Sequence, residues 1–219
     1  MIKIFEMGKI RDEEIFARFE PTSSVEDIVK GIIARVRAEG DAALRAYSAE
    51  FDHVEIEDFL VSEAEIEAAL AKVEPEFIAV LEEAAANIRA FHSKQVRNSF
   101  IMADKPGVIL GQRVIPLEKV GLYVPGGTAA YPSTVLMDAI PAKIAGVEEI
   151  VMVTPPNKEG SVNPYILAAA HVAGVGRIFK VGGAQAVAAL AYGTASIPRV
   201  DKIVGPGNAF VAEAKKQVF

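Results

Sequence analysis

Four glycine- and proline-rich turns are the segments of this sequence whose residue types suit a ligand. They are Tyr123-Val124-Pro125-Gly126-Gly127, Thr154-Pro155-Pro156, Gly182-Gly183-Ala184-Gln185 and Gly205-Pro206-Gly207-Asn208. Each follows a short apolar run and precedes a helical pattern, which predicts a strand-to-helix connection. Glycine permits close backbone approach, and the start of the next helix offers free N–H groups and a positive dipole. The turns therefore predict a site for an anion such as a dinucleotide pyrophosphate.

These turns have two interpretations on the residues alone. None contains a G-x-G-x-x-G fingerprint, and no P-loop motif occurs in the sequence. At a single turn, glycine and proline are usually explained by turn geometry. Four such turns at one edge of a sheet favour a ligand site, because open α/β folds bind ligands at that edge. Purely structural turns and an anionic-ligand site both stay open at this point.

The elements that position these turns fall into two regions, 1–100 and 101–219. The first region is predicted to be helical. Apolar residues at helical spacing indicate helices from Val25 to about Gly40, from Ala64 to Val73 and from Pro75 to about Val96. Ser62 with Glu65 has the spacing of a capping box, and Ser23 and Ser24 have acidic residues at the same spacing.

The second region alternates strands and helices. We predict a β-hairpin (Val108–Leu110 and Arg113–Leu117), strands at Val120–Val124, Glu149–Val153, Arg177–Val181 and Lys202–Val204, and helices at Ser133–Ala145, Pro164–Ala173, Ala184–Tyr192 and from about Asn208. This alternation predicts an α/β fold: an incomplete Rossmann-like parallel sheet with right-handed crossover helices. The strand order does not follow from the pattern. Phe219 falls within an amphipathic helix that has no stop signal, so we expect a truncated chain whose nucleotide-binding domain ends prematurely.

Composition and charge exclude several classes of partner. Of the 219 residues, 51% are hydrophobic and 24% are charged, as in ordinary globular proteins. The 23 Lys and Arg against 29 Asp and Glu give a net charge of −6, which argues against nucleic acid, since that partner needs a basic surface. With no cysteine, there is no disulfide or thiolate site. We see no signal peptide and no apolar run near the ~18 residues of a spanning helix, so we expect a cytoplasmic protein without membrane contact.

Three long blocks of the sequence resemble the histidinol dehydrogenase family. They are KVGLYVPGGTAAYPSTVLMDAIPAKIAG (119–146), VGGAQAVAALAYGT (181–194) and VDKIVGPGNAFVAEAKKQV (200–218). The upstream stretches NIRAFHSKQ (87–95) and LGQRVIPLEKVG (110–121) fit as well. The resemblance runs in order along essentially the whole chain, which it identifies as the amino-terminal half of such an enzyme.

The resemblance implies an activity and a cofactor. Enzymes of this family oxidise L-histidinol to L-histidine through an aldehyde, in two NAD-dependent hydride transfers at a zinc-containing site, and form homodimers. Tyr123, Gln185 and Asn208 match the positions of the family that contact NAD, and all three lie on the turns described above. The alternatives are a packed aromatic ring for Tyr123, a helix-start residue for Gln185 and a helix N-cap for Asn208.

Catalytic residues and metal ligands are not predicted within this chain. By resemblance, the catalytic Glu–His pair, the zinc ligands and the substrate-binding residues follow the Gly205–Asn208 segment, so we expect the chain to be inactive alone. His53, His92 and His171 include no i, i+4 pair that could place two ligands on one helical face. We therefore predict no catalytic and no metal-binding residue here.

Three hypotheses follow from these patterns. The chain is part of a histidinol dehydrogenase, or of a related dehydrogenase acting on another small alcohol. Alternatively, it is a short relative that binds a nucleotide without catalysis. In the third hypothesis it is a scaffold whose glycine turns are structural, and well-folded protein without detectable nucleotide binding would favour that explanation.

Overall fold

The computed structural model describes residues 8–11, 24–126 and 130–219. Its elements, in chain order, are α1 (Ser24–Glu39), α2 (Asp41–Tyr47), a π-helical turn (Ser48–Asp52), α3 (Glu63–Leu70), α4 (Pro75–His92), a 3-10 turn (Ser93–Gln95), β1 (Phe100–Lys105), β2 (Val108–Gln112), β3 (Lys119–Tyr123), α5 (Pro132–Ile144), β4 (Glu149–Thr154), α6 (Pro164–Ala173), β5 (Arg177–Lys180), α7 (Gly183–Tyr192), β6 (Lys202–Val204) and α8 (Ala209–Gln217). In the described parts of the chain, no helix has the length and apolar character needed to cross a bilayer.

Four parallel strands form the central sheet in the order β5-β4-β3-β6. This confirms the predicted α/β fold with a parallel sheet and crossover helices. The order is also that of the first four strands of a doubly wound dinucleotide-binding sheet. It reverses between β3 and β6, so the topological switch point, where such sheets bind ligands, lies between the turns that follow these two strands.

Helices cover both faces of this sheet. One core includes Val29 of α1, Leu44 of α2 and Val153 of β4, together with residues of α7 and α8. The opposite core includes Leu81 of α4 and Met152 of β4, together with residues of α3, α5 and α6. Neighbouring residues of β4 thus point into different cores, as the pleat of a strand requires. Residues before and after position 100 share both cores, and a domain boundary near residue 100 stays a prediction.

The helices of the first region begin and end close to their predicted positions. Gly40 ends α1, but the chain continues at once into α2, which the sequence pattern did not indicate. The capping box of α3 is confirmed: the N–H of Glu65 donates to the Ser62 hydroxyl over 3.2 Å, and the N–H of Ser62 donates to the Glu65 carboxylate over 2.8 Å. The predicted cap at Ser23 lies outside the described residues.

The β-hairpin exists, but its predicted pairing is wrong. Val108–Gln112 pairs with Phe100–Lys105, and Arg113–Leu117 is not a strand. The turn lies at Pro106-Gly107, where Gly107 has a φ of 78°, a conformation that glycine adopts without strain. Every residue of both hairpin strands is exposed, so no burial pattern distinguished the first of them from a loop.

Candidate functional site

Three of the four predicted turns pack around one proline ring. Pro155 follows β4, between the turns that follow β3 and β5. A Cβ added to Gly182 would lie 2.6 Å from the Cβ of Pro155, and one added to Gly126 would lie 3.0 Å from its Cγ. Both positions therefore need glycine because the backbone approaches the ring closely. The turns form one continuous surface at the carboxyl edge of the sheet.

Tyr123 connects this surface to the fourth turn. Its ring is buried in the core between the sheet and α7, and its hydroxyl accepts a 3.0 Å hydrogen bond from the N–H of Gly183, the first residue of α7. Its carbonyl oxygen contacts Gly205, where any added Cβ would overlap it. One residue therefore joins the start of α7 to the turn after β6, across the switch point.

Gln185 has a buried, unpaired amide oxygen at the start of α7. The residue is 1% exposed, and its Oε1 is buried without a hydrogen-bond partner. This side chain folds back over Gly183, so that a Cβ there would overlap Oε1. Buried polar atoms normally have partners, and an orphan requires an explanation such as an absent ligand. The N-cap residue of α7, Gly182, has no side chain to cap the helix, and the helix dipole is positive at this end.

Asn208 lies on the other side of the switch point and is exposed. Its Oδ1 accepts a 3.1 Å hydrogen bond from the N–H of Val211, so the side chain is the N-cap of α8. Because the oxygen is the capping atom, a ligand would meet the amide NH2 group. The alternative predicted for Asn208, a helix N-cap, is thus observed. The cap also fixes the orientation of the side-chain NH2 group, which can still donate.

The three predicted cofactor residues are therefore connected along one edge. Tyr123 and Gln185 meet at Gly183, and Tyr123 reaches the turn of Asn208 through Gly205. The role of each residue in binding NAD stays a prediction. Gly127, the last residue of the first turn, lies outside the described residues.

Asp52 is a partly buried carboxylate whose charge acts on Tyr123 and which the sequence analysis did not predict. It ends the π-helical turn, a type of turn that is frequent at functional sites. Burial raises its pKa to about 6, against the opposing effect of His53, and its Oδ2 is buried without a hydrogen-bond partner. The pKa of Tyr123 is raised by burial and by the Asp52 carboxylate, although the hydrogen bond from Gly183 lowers it. Asp52 lies 71 positions before Tyr123 and carries no motif, so no sequence signal singled it out.

A cavity of about 670 Å³ lies elsewhere, between α5 and the segment that follows the hairpin. Its walls are mainly apolar, and none of the three predicted cofactor residues lines it. A second cavity, of about 590 Å³, lies beside β6 and is lined by Val218 and Phe219 among others. An anionic ligand suits the glycine edge better than either cavity, because that edge offers a helix N-terminus.

No metal centre is formed by the residues that the structure describes. They contain no group of three or more His, Cys, Asp or Glu side chains that could hold a metal ion. The zinc implied by the resemblance therefore does not fit the described part of the chain.

Comparison with known proteins gives a consistent family. The sequence model of histidinol dehydrogenase matches residues 17–219. A histidinol dehydrogenase from Chlorobaculum tepidum is 62% identical over 191 residues, which is 87% of this chain and 45% of that protein. One from Clostridium acetobutylicum is 52% identical over 224 residues, covering 100% of this chain and 52% of the relative. The chain thus spans about half the length of the curated relatives it matches.

A solved structure has the same fold. The crystal structure of histidinol dehydrogenase from Elizabethkingia anophelis superposes with a TM-score of 0.88 at 40% sequence identity. The match covers 92% of this chain and 46% of that one. Sheet and helices therefore correspond over nearly the whole of the present chain.

Proposed function

The chain belongs to the histidinol dehydrogenase family, and on that premise we propose that it forms the NAD-binding part of an enzyme that oxidises L-histidinol to L-histidine through the aldehyde. The observation that carries this proposal is the orphaned amide oxygen of Gln185 beside the start of α7. It lies on the glycine edge that flanks the switch point, where doubly wound sheets bind dinucleotides. The homodimer belongs to the same proposal as an implication of the resemblance, and the cytoplasmic location belongs to it as the expectation drawn from the sequence pattern.

The residues of this edge fit a dinucleotide in three ways. The start of α7 offers a positive dipole to the pyrophosphate. The Tyr123 hydroxyl accepts from the N–H of Gly183, which leaves its own proton to donate to a ligand. Gln185 offers an acceptor and the amide NH2 of Asn208 a donor, suited to the hydroxyl and amide groups of the nucleotide. When bound, NAD would accept the hydride, and the residues of this chain would hold and orient the cofactor.

Gln185→Leu tests the nucleotide site with two measurements, thermal stability and NAD affinity, which we expect to respond differently. The substitution removes a buried amide whose oxygen has no protein partner, so we expect thermal stability to be unchanged or higher. We expect NAD affinity, measured by isothermal titration calorimetry, to fall about tenfold, because a hydrogen bond to the ligand is worth on the order of 1–1.5 kcal/mol. Gln112→Leu, on the exposed hairpin, is the matched control and should change neither readout. Unaltered NAD affinity in folded Gln185→Leu would contradict the assignment, as would undetectable NAD binding by the unmodified chain.

Binding without turnover is the second expected result. The resemblance assigns the catalytic Glu–His pair to sequence that follows residue 208 in relatives about twice as long as this chain. We therefore expect no NADH formation when these 219 residues are mixed with L-histidinol, NAD and zinc, while a full-length relative is active in parallel. Turnover that survives exclusion of contaminating host enzyme would refute this assignment.

A further inference from the structure

Two charged side chains lie beside Gly205, the first residue of the turn formed by Gly205–Asn208. Asp138 belongs to α5 and Lys215 to α8, and these helices cover opposite faces of the sheet. Burial raises the pKa of Asp138 to about 6, and the positive charge of Lys215 opposes that rise. Burial likewise lowers the pKa of Lys215, and Asp138 opposes the change. The two groups thus interact across the end of the sheet, although each loses solvation.

Lys215 hydrogen-bonds to Gly205, and Asp138 lies next to it. The ammonium group of Lys215 donates a hydrogen bond to the carbonyl oxygen of Gly205. A Cβ on Gly205 would lie 3.2 Å from the Oδ2 of Asp138 and would overlap the carbonyl oxygen of Tyr123. Gly205 is therefore enclosed by Asp138, Lys215 and Tyr123, and its φ of 110° is open to glycine but strained for other residues.

The carboxylate of Asp138 is not placed for stability. Its Oδ2 is buried without a hydrogen-bond partner, and a buried, incompletely paired charge costs free energy. A neutral side chain of the same shape would remove that cost. The carboxylate lies beside Gly205 instead, where its negative charge favours the ionised form of the Lys215 ammonium group that donates to this residue.

We propose that Asp138 and Lys215 are positioning residues, which fix the Gly205–Asn208 turn, and with it Asn208, in the binding arrangement before a nucleotide arrives. Asn208 follows Gly205 by three residues, so a fixed Gly205 sets where α8 begins. The importance of the pair for NAD rests on the proposed function, whereas its effect on the turn does not. Preorganisation of this kind increases affinity by reducing the ordering cost of binding.

Three variants test the pair: Asp138→Asn, Lys215→Met and, as matched control, Lys216→Met. Lys216 is the next residue on α8, and its exposed ammonium group contacts Glu213 instead of the turn. We expect each of the first two variants to weaken NAD binding about tenfold, and the double variant to weaken it little further, because the two residues act as a unit. Asp138→Asn should keep or raise the melting temperature at about pH 8. If Asp138 had only a structural role, weaker NAD binding would be accompanied by a lower melting temperature. Lys216→Met should bind NAD normally.

Hydrogen exchange provides a readout that needs no nucleotide. The N–H groups of Val211 and Ala212 donate to the side-chain and backbone oxygens of Asn208, over 3.1 and 2.9 Å, so their protection reports on its order. We expect these amides to exchange roughly tenfold faster in Asp138→Asn and Lys215→Met than in Lys216→Met. Faster exchange in a chain that never binds NAD would support the positioning role and defeat the proposed function. Unchanged exchange in both variants would overturn the positioning role, and so would unchanged NAD affinity in a chain that binds NAD.

Discussion

Gly205→Ala is expected to destabilise the chain by about 3–5 kcal/mol. Two costs add at this position. The φ of 110° is strained for a residue with a side chain, and the added Cβ would overlap the carbonyl oxygen of Tyr123. That oxygen belongs to the end of a central strand, so it cannot move aside without disturbing the pairing of β3 with both of its neighbours.

Urea unfolding followed by circular dichroism measures this cost, with Gly31→Ala as the control. Gly31 is exposed within α1, and a Cβ there would meet no atom within 4 Å. Because glycine is a poor helix former, we expect Gly31→Ala to stabilise the chain by about 0.5–1 kcal/mol. If Gly205→Ala loses less than about 1 kcal/mol, the turn can relax away from Tyr123, and the edge of the sheet is not rigid there.

The stability of the chain is expected to increase as the pH falls from about 7.5 to about 5. Asp52 and Asp138 each have a pKa of about 6 in the folded chain, raised mainly by burial from an ordinary value of 3.8. Between these values the folded state binds more protons than the unfolded state, so protons favour folding. The cost of the two charges is fully present above about pH 6 and absent below about pH 4. With allowance for solvent screening, we expect about 1–2 kcal/mol from each residue.

Urea unfolding at about pH 5 and about pH 7.5 tests this dependence. Asp52→Asn and Asp138→Asn should each be more stable than the unmodified chain at the higher pH, and each should remove part of the pH dependence. Asp41→Asn is the control with the opposite sign, because hydrogen bonds from Ser196 and Thr194 outweigh burial and lower the pKa of Asp41. Its contribution to stability is present at both pH values and is lost only below about pH 4. A stability that rises with pH across this interval would contradict the assignment of Asp52 and Asp138.

Most elements of the sheet region follow from the sequence because two local signals agree there. Apolar runs give the strands, and glycine or proline marks where each strand ends. The helix Pro164–Ala173 and the strand Lys202–Val204 have their predicted bounds. Strand order is different, because it depends on which strands meet after the crossovers form, and no local pattern encodes that choice.

The site was only partly predictable for the same reason. Glycine turns and family resemblance together identified Tyr123, Gln185 and Asn208 as candidates. Other contacts of the site form between segments that are distant in sequence, so no local pattern predicts them. Examples are the close packing of two glycine turns on Pro155 and the contact between Tyr123 and Gly205. Asp52 lies in none of the motifs described above, and Asp138 lies within the 119–146 block without a role predicted for it, so only burial distinguishes these two among the 29 acidic residues.

The position of β6 in the sheet also sets the order in which this edge can be assembled. Val120 of β3 pairs with Lys202 of β6, across 82 positions of chain that form β4, β5 and their crossover helices. Closing so long a loop is slow, because the chain loses conformational entropy before the stabilising contacts between the two strands form. The contact between Tyr123 and Gly205 exists only after β6 has joined, so a nucleotide that needs both turns can bind only the completed sheet. Such a ligand would slow unfolding without accelerating the earlier steps of folding.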